Sequence, residues 1–298
     1  MSLGGSKAET LPQARAARDE RRRIWSPGTS YYILAAVPAL FLGVFFLFPL
    51  LRVVARGFSG ADGLQQYRVI WGNASYLTAL TTTLQTALTV TFFCLLLAYP
   101  LALVGARLQG RAYTLFMALL LVPLWTSVVI RSYAWMVMFQ RSGPVNQLLV
   151  WLEWIDAPIR LLQTAFAVNI GMVHILLPFM VLPILNTMRG LDPTFLQAGR
   201  ILGAAPLRLF FRIYLPLTLP GVSAGVILVF ISALGFFITP ALLGGGRNTM
   251  IAVLIEQQAV DWLNWPLASA LATILLVVSV AIYGGYSHLT RRVVEARS

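Results

Sequence analysis

Six apolar stretches, each long enough to cross a bilayer, restrict this chain more than any other feature of its sequence. A helix needs about 20 mostly apolar residues to span a hydrocarbon core of ~30 Å. The stretches lie near residues 32–51, 77–104, 112–139, 165–188, 217–243 and 267–289. Only 11% of the 298 residues are charged, against the 25% or so that keeps a soluble domain wet. The expected fold is an all-α integral membrane protein with six transmembrane helices. The second to fifth stretches contain Pro100, Pro123, Pro178, Pro183, Gly225 and Gly235. A membrane bundle tolerates such breaks as packing kinks, or uses them as moving gates.

The net charge of +12 would suit a nucleic-acid binder, but its distribution points elsewhere. With a cytoplasmic N-terminus, fifteen of the 22 basic residues fall in the N-terminal tail, the 104–112 loop, the 188–217 segment and the C-terminal tail. The positive-inside rule selects that orientation, with both termini cytoplasmic. Insertion explains the basic excess, and no nucleic-acid partner is required. The first apolar run is too long for a signal-peptide core and lacks a small-residue cleavage site, so it is expected to stay as an uncleaved helix. The basic run 14–23 is expected to be a topogenic tail. The organisation read from these patterns is a basic cytoplasmic tail (1–30), a first helix with its outer loop (31–76), a core (77–289) and a short cytoplasmic tail (290–298).

Several chemistries are missing. The lone cysteine, Cys94, can form neither an intramolecular disulfide nor a cysteine zinc site. The only lysine, Lys7, is not part of a phosphate-cradling G-x-x-x-x-G-K-[ST] run. No H-E-x-x-H or G-x-S-x-G occurs in a catalytic context. The chain is not expected to be an enzyme, and no cofactor is expected to bind it.

The segment after the fourth stretch does not read as a plain connection. Asp192 before Pro193 forms an N-cap with proline at the first helical position, and Gly203 suits a helix terminus. Pro206 can open a second short helix, limited by Pro216. That second helix is apolar for a cytoplasmic location, with Leu207, Leu209, Phe210, Phe211, Ile213 and Tyr214, and Arg208 and Arg212 share one of its faces. Two destinations fit equally on these grounds: a groove on another protein, or the lipid headgroups.

The segment also carries a resemblance. Gln197-Ala198-Gly199, three residues, Gly203, nine residues, then Ile213-Tyr214-Leu215-Pro216 is similar to the E-A-A-x-x-x-G…I-x-L-P cytoplasmic pattern of type I ABC importer permeases. Further stretches resemble the spermidine/putrescine-type branch: Val122-Pro123-Leu124-Trp125-Thr126-Ser127 with Ile130-Arg131-Ser132-Tyr133, Ile155-Asp156-Ala157-Pro158, Ile175-Leu176-Leu177-Pro178 and Leu243-Gly244-Gly245. The likeness covers about residues 30–290. It implies a coupling-helix pair between helices four and five, with Ala204, Ala205, Pro206, Leu207, Arg208 and Phe210 at a tip that docks on an ATPase subunit. The sequence departs from the pattern in Gln197, where the family has Glu, and in Gly199, where it has Ala. The resemblance further implies two copies of a cytoplasmic ATPase holding ATP and Mg, a second, non-identical permease subunit, an extracytoplasmic binding protein, and a small solute such as a polyamine or related amine.

For the path itself, Arg131 is the one charge well inside a stretch, where it could pair with a partner carboxylate, line a gate or reach for headgroups. Trp125 and Tyr133 lie near it in sequence. Asp156 and Asp261 sit beside Trp154 and Trp262, where a ring and a carboxylate could hold an ammonium, or where ordinary loop acids adjoin interfacial tryptophans. Phe236 and Phe237 beside Gly235 are candidates for an apolar constriction or for simple packing. His174 is expected to be a packed, hydrogen-bonded residue. The rival reading is an ion-gradient-driven transporter or channel, which would need intramembrane relays; Arg131 and His174 are all that the chain offers.

Overall fold

The computed structural model describes residues 29–60 and 62–295, with side chains described from 34 to 288 except at 61 and 247. The expected basic tail therefore lies outside the described residues up to position 28, including Lys7 and the 14–23 run. Residues 296–298 lie outside them too. Every regular element among the described residues is helical.

The first apolar stretch forms α1 (Thr29–Leu42), a wide π-type turn over Gly43–Leu47, and α2 (Phe48–Gly57). Within it Phe41 and Phe45, one turn apart, pack with tilted rings. The remaining chain, from residue 54, is a separate compact unit.

In that unit α3 (Gln65–Gly72) leads into the 34-residue α4 (Ala74–Arg107), which is capped by the Asn73 side chain accepting from Ser75 N–H. Pro100 lies inside α4 without ending it. The helix α8 (Ala165–Arg189) is the most buried of the long helices and packs against both α4 and α11 (Leu215–Leu234). Membrane helices gain little from burying oil against oil, so they associate by close packing of small residues. Gly221 and Gly225 provide this on α11. A Cβ on Gly221 would lie 2.4 Å from Thr187 Oγ1 and 2.7 Å from the Pro183 carbonyl, and one on Gly225 would lie 2.8 Å from Met180 Sδ. A smaller apolar cluster (Ile70, Ala79, Ile251, Leu271) ties α3 and α4 to α13 (Ile251–Glu256) and α14 (Trp265–Glu295).

Among the described residues, five helices are long and apolar enough to cross a membrane. The expected third span, 112–139, is not one helix. It is α5 (Gly110–Trp125) and α6 (Val128–Met138), bent by 94° to each other, so a sixth crossing exists only if the pair counts as one broken span. The cause is local. Thr126 and Ser127 take extended backbone conformations, the Thr126 hydroxyl donates to the Pro123 carbonyl (2.8 Å), and Ser127 Oγ caps a new helix by accepting from Val129 N–H. The short α7 (Pro144–Trp151) precedes α8.

The fifth span is also displaced from the expected 217–243. A continuous helical path runs from Pro206 to Leu234, and Gly235, Phe236 and Phe237 separate it from the short α12 (Ile238–Leu243). Pro216 therefore does not limit the preceding helix. Proline has no N–H to give, and just upstream the helix widens to a π turn over Phe210–Tyr214, where Leu215 N–H reaches back to the Phe210 carbonyl. The last expected span, 267–289, agrees with the apolar stretch Trp265–His288, and its helix α14 continues to Glu295.

Candidate functional site

The segment between α8 and α11 is built by two local devices. Asp192 caps α9 (Pro193–Ile201), its Oδ1 accepting from Thr194 N–H at 2.8 Å. These hydrogen bonds from Thr194 favour the ionised carboxylate and hold its pKa below the ordinary value. At the other end, Ala204 N–H bonds the Gly199 carbonyl (3.1 Å) and Gly203 N–H bonds the Arg200 carbonyl (2.9 Å). Together with a φ of +74° at Gly203, this is a Schellman turn. The expected terminator is therefore where the sequence placed it. After the turn, α10 (Pro206–Leu209) runs through the π turn into α11.

The departure at Gly199 has a packing reason. A Cβ there would lie 2.5 Å from Leu209 Cδ1 and 2.9 Å from Ile213 Cδ1, so the missing methyl lets α9 lie against the start of the long helix. Gln197 and Ala198 are exposed on the opposite side. At the turn itself, Ala205, Pro206 and Arg208 are exposed and Ala204 half-buried. The apolar surface there comes from Leu207, 74% exposed, and from Ile201 and Leu202, 86% and 85% exposed. The sequence reading did not single out Ile201 and Leu202, although two large apolar residues directly before a helix-terminating glycine are a legible signal. Phe210 is placed differently from the expected tip anchor. It is half-buried, stacked on Tyr214 (centroids 6.0 Å apart) and edge-on to Tyr99 of α4 (6.1 Å). Tyr99 in turn shares a hydrogen bond with Thr218 of α11 (3.1 Å). Phe210 thus fastens the turn to the helix bundle, and the aliphatic residues form the exposed tip.

A second group of polar residues lies within the bundle. Trp135 Nε1 donates to His174 Nδ1 at 3.1 Å, and Ser132 and Thr239 share a 2.8 Å hydrogen bond, joining α6 to α8 and α12. The expectation that His174 is packed and hydrogen-bonded agrees with this. Trp135 carries no sequence pattern that foretells its role. Arg131 is 9% exposed, and its Nε and Nη1 are buried without a partner among the described residues.

The other path candidates differ in exposure. Trp125 ends α5 at 89% exposure; Tyr133 and Phe237 are exposed, whereas Phe236 packs against the main apolar cluster. Asp156 is exposed on the loop after α7, and Asp261 is exposed at the end of the π turn following α13. Among the described residues no group of three or more His, Cys, Asp or Glu is placed to hold a metal ion.

Residues 95–295 match the family described as binding-protein-dependent transport system inner membrane component. The chain is 36% identical over 265 residues to the spermidine/putrescine transport system permease protein PotB of Escherichia coli (strain K12), covering 85% of this chain and 96% of that one. It is 34% identical over 275 residues to PotB of Haemophilus influenzae (strain ATCC 51907 / DSM 11121 / KW20 / Rd), covering 88% and 96%. In fold it is similar to a chain of a bacterial alginate ABC transporter solved in complex with an alginate pentasaccharide-bound periplasmic protein. The TM-score is 0.71 at 19% identity, over 91% of this chain and 98% of that one.

Proposed function

The chain belongs to the binding-protein-dependent transport system inner membrane components and is a multi-pass permease subunit of an ABC-type importer for a small solute; on that premise we propose that its solute is a polyamine or related amine and that α9 with the head of the long helix is the cytoplasmic element through which an ATPase drives it. The likeness to PotB over most of both chains supports the solute class. The observation that carries the coupling role is the capped, Schellman-terminated turn, whose apolar tip (Ile201, Leu202, Leu207) leaves large side chains exposed at the end of a rigid element. Such a surface fits a protein groove.

The mechanism follows from continuity. Pro206–Leu234 is a single helical path, so a displacement applied at Leu207 is delivered to α11 without an intervening hinge. The clasp of Phe210, Tyr214, Tyr99 and Thr218 passes it to α4 as well. Two cytoplasmic ATPase copies, binding ATP and Mg, would close and rock this bundle against a second, non-identical permease subunit. An extracytoplasmic binding protein delivers the solute. Gln197, exposed near the tip, contributes hydrogen bonds to the ATPase in place of the ion pair that Glu would make. Both termini and the 1–30 and 290–298 tails are cytoplasmic in this reading, with 31–76 forming the first helix and outer loop and 77–289 the permease core. Asp156 with Trp154 and Asp261 with Trp262 offer an ammonium its first outer contacts, and Phe236 and Phe237 lie at the break in the fifth span where a constriction forms.

The test is uptake of labelled spermidine and putrescine into vesicles carrying the complete transporter, with and without ATP and vanadate. Vanadate-sensitive uptake is expected. Uptake that follows an ion gradient without ATP refutes the coupling role, and ATP-driven uptake of other solutes with no amine transport refutes the solute class.

A further inference from the structure

The turn region encloses a cleft of about 860 Å³ between α9, α10 and the ends of α4 and α8. Arg107, Arg189 and Arg200 line it, with no carboxylate among the lining residues. Asp192 adjoins it in sequence, but that carboxylate is engaged in capping α9. The sole ion pair among the described residues is elsewhere, between Arg68 and Asp62. Arg189 lies over the Tyr113 ring at 3.9 Å and donates to the Leu108 carbonyl (3.3 Å), so its guanidinium is fixed in place. The remaining wall is apolar, with Leu103 and Leu209 among its members. Three cations in an apolar-walled cleft where two long helices end are what an anionic headgroup with attached chains requires.

We propose that this cleft binds a phosphate-type oxyanion, held by Arg107, Arg189 and Arg200. Phospholipid headgroups and free phosphate share that chemistry, and the apolar wall suits the former. The site sits directly behind the turn, so its occupancy stiffens the element assigned above to coupling. The inference rests on that assignment for its consequence in transport, but not for binding.

The experiment uses the full chain purified in detergent. Retained lipid is read by native mass spectrometry, and the melting midpoint is read on adding phosphatidylglycerol, phosphatidylcholine or inorganic phosphate. Wild type is expected to retain phosphatidylglycerol and gain thermal stability from it, with no gain from phosphatidylcholine. Arg107→Gln and Arg200→Gln are each expected to bind it about fivefold more weakly, and Arg107→Lys to recover most of the loss. Stabilisation by inorganic phosphate equal to that by phosphatidylglycerol, lost in the same variants, supports the oxyanion site with a free anion as its occupant. Unchanged phosphatidylglycerol binding in both Gln variants, or an equal effect of phosphatidylcholine, overturns the proposal. Because this readout involves neither ATP nor an ATPase, its failure leaves the importer reading untouched, and the uptake assay tests that reading separately.

Discussion

Gly203 separates backbone conformation from packing, because a Cβ built on it meets no atom within 4 Å while its φ is +74°. Any effect of substitution therefore comes from the left-handed backbone conformation alone. For an ordinary L-residue that conformation costs about 1–2 kcal/mol; asparagine is tolerated there, and a β-branched residue fits worst. The series Gly203→Asn, Gly203→Ala and Gly203→Val should thus rank in that order. A penalty of 1–2 kcal/mol lowers the population of the formed turn relative to its alternatives by about 5- to 30-fold. If the turn docks on an ATPase as proposed, the apparent affinity falls by the fraction of turns still competent. Those figures are upper bounds on the loss for Gly203→Ala, approached only if the wild-type turn is already mostly unformed; a turn formed half the time loses about half as much. The assay is ATPase docking to the permease in nanodiscs, paired with solute transported per ATP hydrolysed. Overall melting should move little, because the strain is confined to a turn outside the buried bundle. If the Val and Asn variants dock and couple equally, the backbone of this turn does not set the tip, and the reasoning fails.

Three further outcomes are expected. Gly221→Ala should destabilise by about 3 kcal/mol or more, above the usual overpacking range, because the new methyl would meet backbone at the Pro183 carbonyl as well as Thr187; thermal unfolding checks this, and a change under about 1 kcal/mol would show that α8 and α11 separate easily. The Trp135–His174 hydrogen bond should be worth about 0.6 kcal/mol, as is usual between membrane helices, read as the coupling in a double-mutant cycle of Trp135→Phe and His174→Leu; strictly additive losses would mean that the 3.1 Å contact contributes nothing. The Asp192 pKa is depressed in the folded chain by its bonds to Thr194, so its contribution is complete above the unfolded value of about 3.9 and disappears as pH falls through the lower folded value. The protection factors against hydrogen exchange at the start of α9, taken relative to the intrinsic rate at each pH, should fall over that acid window in wild type and stay flat in Asp192→Asn, whose amide oxygen keeps the cap without titrating.

Much of the importer assignment was legible in the sequence because its signals are short-range. Apolar runs longer than a bilayer is thick specify membrane helices whatever they pack against. Asp192-Pro193 and Gly203 specify the start and end of α9 through backbone groups only a few residues apart. The gradient-driven alternative fell with family membership, since the 95–295 match and the likeness to PotB cover the permease core. Tertiary structure decided the rest. Hydropathy cannot distinguish one 28-residue span from two helices bent by 94°, because the residues flanking Thr126-Ser127 are equally apolar whether the pair forms a turn or a helix interior. Nor could the sequence show that the wide turn at Phe210–Tyr214 carries the helix through Pro216, or that Phe210 faces Tyr99 more than a hundred residues earlier in the chain. Each depends on which surfaces meet. Local chemistry places caps and runs, but the partner of a buried ring or a missing methyl is chosen by distant residues, and only the assembled bundle brings them together.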